Sequence, residues 1–174
     1  MTLVELTAEE ARLLEEVERV TGLMEDKASQ LNDAGVFAAY SRVHGAYVQL
    51  AEESRSLEAL KRAVFLQWYS LSEPSCFTGL FEMDDAAERR ALVLVNSLVE
   101  RGELDDELRW MLPYYFQTTD YYLTAHEGLE ALKEFSRRNQ GELWSHGAPS
   151  RASLSGRGQM STYWLSMTRP RSAV

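Results

Sequence analysis

A chain of 174 residues with a formal net charge of −9 is sized for one domain that buries roughly 70% of its unfolded surface and needs no disulfide or metal staple. Its single cysteine, Cys76, excludes an internal disulfide, and its apolar runs fall well short of the roughly twenty residues a membrane-crossing helix needs. Residues 1–139 carry a net −12, whereas residues 140–174, with Glu142 against Arg151, Arg157, Arg169 and Arg171, carry +3, so the body repels nucleic acid and anionic membranes and only the tail reverses that.

The opening "MTLVELTAEEARLLEEVE" lacks the basic segment and apolar run of a targeting peptide, and a cytoplasmic protein is expected. Thr7 and Glu10 stand in capping-box spacing. Beyond them Leu13, Val17, Val20, Met24, Ala28 and Leu31 step by three and four, predicting one long amphipathic helix, bent at Gly22 and stopped near Gly35. A second helix is predicted over about 36–53, with Val36, Tyr40, Val43, Tyr47 and Leu50 on one face. Ser54 or Ser56 caps a third over about 57–72, whose centre "AVFLQWYSL" is apolar nearly all round, the mark of a helix buried in the middle of a bundle.

"SEPSCFTGLFEM", with Pro74 and Gly79, reads as a long loop. A fourth helix runs from about Asp84 to Arg101: acids at its start and Arg101 and Gly102 at its end outweigh the strand propensity of "ALVLVNSLV". A fifth starts at Asp105 or Asp106, meets Pro113 and resumes through "WMLPYYFQTTDYYLTAHE". Thr124 and Glu127 repeat the capping-box spacing before a last helix that ends near Asn139. The fold class expected is therefore all-α: an irregular bundle of about five to seven helices over residues 1–139. A Gly/Ser/Arg-rich tail, residues 140–174, follows and is either flexible or partly docked through residues such as Trp144, Met160, Tyr163 and Trp164.

The aromatic stretch raises the main functional question. Trp110, Tyr114 and Tyr121 share one helical stripe and Tyr115 and Tyr122 the next, so the rings serve as core or, where a rim stays exposed, as a hot spot for a protein partner. The acidic exterior favours a basic one. A second candidate is a metal-dependent helical enzyme: His126 and Glu130 lie one turn apart, and His44 is the third ligand. The Glu-x-x-His pairs of di-iron bundles do not occur, nor do phosphate-loop, dinucleotide, zinc-protease or nucleophile-elbow signatures. Cys76 is a nucleophile only beside a base. A third candidate is weak single-strand binding by the tail, pairing Arg151, Arg157, Arg169 and Arg171 with phosphates and stacking bases on Tyr163 and Trp164. The resulting expectation is a non-enzymatic protein-binding module, an adaptor or inhibitor, with no cofactor and no membrane partner.

Overall fold

The computed structural model describes residues 1–139 and 150–167, and every regular element among them is helical. Residues 1–139 hold seven helices of nine residues or more, namely α1 (Leu3–Arg19), α2 (Met24–Asp33), α3 (Val36–Ser54), α4 (Leu57–Ser72), α6 (Asp85–Arg101), α7 (Asp106–Thr118) and α9 (Glu130–Arg138). Two short turns, α5 (Ser75–Thr78) and α8 (Asp120–Thr124), join them, and α10 (Arg151–Leu154) and α11 (Gly158–Met167) follow.

The first predicted helix is two helices. Its capping box is Thr2 with Glu5, where Thr2 Oγ1 accepts the Glu5 N–H at 3.3 Å and Glu5 Oε2 accepts the Thr2 N–H at 2.7 Å. Thr7 lies inside α1, donating to the Leu3 carbonyl at 2.7 Å. Val20 is extended and Gly22 has φ 115, so the chain turns there instead of bending. Later boundaries follow their local signals. Gly35 (φ 72) precedes α3, Ser56 caps α4, Asp84 caps α6 and Gly102 (φ 68) ends it, and Asp105 caps α7. Pro113 sits within α7. The Thr124–Glu127 box does not form: Thr124 closes α8 by donating to the Tyr121 carbonyl at 2.9 Å, and α9 begins only at Glu130, after Gly128 (φ 75) and Leu129.

α3 and α4, joined by Arg55 and Ser56 alone, form the central hairpin. Every residue of α4 from Ala59 to Trp68 is buried, as its unbroken apolar run predicts, because α3, α6, α7 and α11 surround it. α1 crosses α3, and α9 lies against α6 and α7. From the stretch predicted as flexible or docked, residues 158–167 enter the core: α11 packs on α1 and α4, and Met160 and Trp164 are wholly buried.

Candidate functional site

The aromatic face expected on α7 and α8 is mostly interior. Trp110, Tyr115 and Tyr122 are buried. Trp110 packs at a tilt against Trp164 with ring centroids 4.4 Å apart, and Tyr115 stacks on Trp68 at 4.7 Å. Tyr115 Oη accepts the Trp164 indole N–H at 3.1 Å, and Trp68 donates to Thr118 Oγ1 at 2.9 Å. Half-buried Tyr114 shares a hydrogen bond with the Tyr163 hydroxyl. Only Tyr121, 57% exposed, reaches solvent. The reason is α11, which brings Tyr163 and Trp164 onto the side of α7 that the body alone would have left open.

The proposed metal ligands do not converge. His44 is wholly buried in α3, with Nε2 3.1 Å from Gln67 Oε1 and Nδ1 without a partner. Burial pushes its pKa down to about 4, so it is neutral at pH 7. His126 lies beyond α8, its ring edge-on to Tyr122 at 5.0 Å, and desolvation, with Arg89 and Lys133 nearby, lowers its pKa. Glu130 is exposed and pairs with Lys133 at 3.3 Å. Among the described residues no three or more His, Cys, Asp or Glu side chains are grouped to hold a metal. His146 lies outside them. Cys76 is buried.

The two described tail arginines, Arg157 and Arg151, serve the fold. Arg157 Nε donates to Glu58 Oε1 at 2.9 Å and its Nη2 to Glu107 Oε2 at 2.8 Å. Burial opposes its charge, but the two carboxylates prevail and raise its pKa. Arg62 links the same Glu58 (2.8 Å) to Thr7 (2.8 Å) and the Tyr47 hydroxyl (3.1 Å). Tyr47 in turn donates to the buried Glu10 at 2.8 Å, whose other oxygen accepts the Gln159 N–H at 2.9 Å. Arg151 donates to the Leu165 carbonyl at 3.0 Å. Arg157 is thus spent on carboxylates and Trp164 on the core, which leaves neither for phosphates or bases. Arg169 and Arg171 lie outside the described residues.

What sequence reasoning set aside as a loop is the most distinctive surface. From Cys76 to Met83 the chain buries Cys76, Thr78, Gly79, Leu80 and Met83 and leaves Phe77, Phe81 and Glu82 outside, the two phenylalanines 54% and 48% exposed. The inward residues are firmly held. Gly79 (φ 70) passes so close to α1 and α3 that an added Cβ would stand 2.5 Å from Val17 Cγ2. Thr78 Oγ1 accepts the Leu80 N–H at 3.1 Å, and Gln159 Nε2 donates to the Thr78 carbonyl at 2.6 Å. Phe81 packs at a tilt against half-buried Phe37 with centroids 5.4 Å apart, and Lys27 Nζ lies 5.7 Å from the centre of the Phe77 ring. Leu23 and Met24, one turn before Lys27 on the same side of α2, are 77% and 51% exposed.

The result is a fixed apolar patch across α2, the start of α3 and the α5 loop. Around it the exposed Glu25, Asp26, Asp33, Glu73, Glu82, Asp84 and Asp85 outnumber Lys27, the one cation of residues 20–34 and 73–85. Five large side chains of this kind, rimmed mainly by negative charge, are what a protein-docking site presents to water. The signal open to sequence reasoning was the pair of phenylalanines in a segment with no helical period to bury them. No family model, curated protein or solved structure matches the chain.

Proposed function

We propose that this protein is a non-enzymatic binding module that captures a basic, amphipathic segment of another protein on the patch formed by Phe77, Phe81, Phe37, Leu23 and Met24. The observation that carries the reading is the anchoring of the α5 loop: Thr78, Gly79 and Leu80 are locked into the core, so Phe77 and Phe81 on either side are held out in water with little freedom left to lose on binding. The acidic rim supplies the charge preference, since carboxylates around an apolar centre steer cationic partners and repel anionic ones, nucleic acid among them. No helix among the described residues is long and apolar enough to cross a membrane. A cytoplasmic setting and an adaptor or inhibitor role go with this reading.

The test is the double substitution Phe77→Ala, Phe81→Ala. Because both rings are about half exposed, the fold is retained, with a loss of about 1 kcal/mol or less per site. Binding of a synthetic basic amphipathic peptide, followed by fluorescence anisotropy, is weakened by at least about tenfold, since a buried aromatic anchor is worth 2 kcal/mol or more, and wild-type binding weakens as salt rises. Equal binding by wild type and double mutant overturns the assignment of the patch. A concentration-dependent dimer that the double mutant dissolves transfers the patch to a second copy of the chain and overturns the basic partner.

A further inference from the structure

On another side of the molecule, the tight corner between α3 and α4 faces α6 across a cleft of about 750 Å³, within the roughly 300–1,000 Å³ of small-ligand sites. Its apolar walls are Leu57 and Leu60 from the start of α4 and Leu94 and Leu98 from α6. Charged groups stand with them, and most are answered. Glu103 accepts from Arg101 Nε at 2.7 Å, and Glu52 from Arg90 Nη1 at 3.3 Å. Arg55, which also lines the cleft, makes no hydrogen bond or ion pair with any described residue.

Arg55 is unusual in its backbone as well. It is the one described non-glycine residue with a positive φ, 54°, and it ends α3 in the left-handed conformation that glycine adopts without strain. A long cation is held there at a conformational cost, and strained backbone gathers at ligand sites. Ser56, the next residue, caps α4 by accepting the Ala59 N–H at 3.2 Å. The Leu57 and Glu58 N–H groups, which have no acceptor inside a helix, lie at the same corner.

We propose that this cleft binds a small amphiphilic monocarboxylate, a medium-chain acyl or aryl-alkanoic acid. Its carboxylate takes the fork of Arg55 and its apolar body lies along Leu57, Leu60, Leu94 and Leu98. One uncompensated cation matches a single negative charge better than a phosphate dianion, and a guanidinium presents two parallel donors to a carboxylate. The site shares no residue with the α5 patch and stands or falls independently of it.

Isothermal titration of the full chain with decanoate below its micelle concentration, 4-phenylbutyrate, the neutral decanamide and inorganic phosphate tests the assignment. One saturable site is expected for each carboxylate, with amide shifts confined to residues 51–60 and 94–103. Decanamide binds at least about tenfold more weakly, and so does decanoate to Arg55→Gly, since a charge-assisted hydrogen bond is lost in each case. Arg55→Gly relieves the left-handed strain, so its Tm is equal or higher, and Arg55→Gln, which keeps the strain, shows the same loss of affinity. Absence of saturable carboxylate binding overturns the proposal, as does equal affinity for decanamide or wild-type affinity for decanoate in both Arg55 variants. Displacement of decanoate by phosphate at equal concentration assigns the site to bare anions and overturns its apolar half.

Discussion

His44 and Glu88 pull the pH dependence of stability in opposite directions. His44, interior and with Nδ1 unpartnered, is held by burial near a pKa of about 4, below the roughly 6.5 of an unfolded histidine. Its contribution is complete above pH 6.5 and is lost as pH falls to about 4, because only the unfolded chain then takes the proton. The loss is on the order of 3 kcal/mol. His44→Gln flattens this acid limb, and in the wild type the imidazole nitrogen shifts stay those of a neutral ring at pH 5.5. Glu88 behaves inversely. Burial, with Asp85 and Asp84 close by, raises its pKa to about 7, so stability is lost as pH rises from the ordinary carboxyl range through 7. Glu88→Gln is therefore stabilising at pH 8 and neutral at pH 4 in urea titrations. At Gly158 (φ 57), an added Cβ would lie 2.0 Å from Glu10 Oε1. Gly158→Ala is expected to cost about 2–4 kcal/mol, seen as a lower urea midpoint.

At the scale of elements, the boundaries legible in the sequence are those made by a capping residue and its own first turn, as at Ser56, Asp84 and Asp105, or by a left-handed glycine, as at Gly35 and Gly102. The failures share one cause. Thr7 and Glu10 have the same spacing as Thr2 and Glu5, and the chain chooses between them by long-range contacts: Glu10 is drawn inward by Tyr47 and by the N–H of Gln159, a residue 149 positions away. No local pattern encodes that pairing. The α5 loop was opaque for a related reason, since Phe77 and Leu80 are both apolar letters and only the packing of Gly79 against α1 and α3 leaves one in water and the other buried. Gly79→Ala is accordingly a loop mutation with a binding phenotype. Its Cβ pushes against Val17 at 2.5 Å, displaces Phe77 and Phe81, and weakens peptide capture together with stability, whereas Phe77→Ala weakens capture alone. Anisotropy and thermal melts on the two variants separate these effects.

For the whole molecule, the all-α class and the burial of α4 followed from periodicity, whereas the candidate docking surface did not, because the rim on α7 that could have served a partner is covered by a segment whose composition resembles a tail. α11 completes the aromatic core: Trp164 touches Trp110, Tyr114 and Tyr115, and Arg157 neutralises Glu58 and Glu107 beside it. Trp164→Ala is expected to cost about 3–5 kcal/mol, and a chain ending at Asn139 loses cooperative thermal unfolding and binds a hydrophobic dye. That order of assembly has a consequence for biogenesis. While the ribosome is still adding residues beyond 139, indole and phenol rings of α4 and α7 wait without their cover, and the closing contact forms only after residue 164 has cleared the exit tunnel. The nascent polypeptide is thus expected to be at its most aggregation-prone between synthesis of α7 and synthesis of α11, and a truncated synthesis leaves a sticky fragment in place of a smaller working protein.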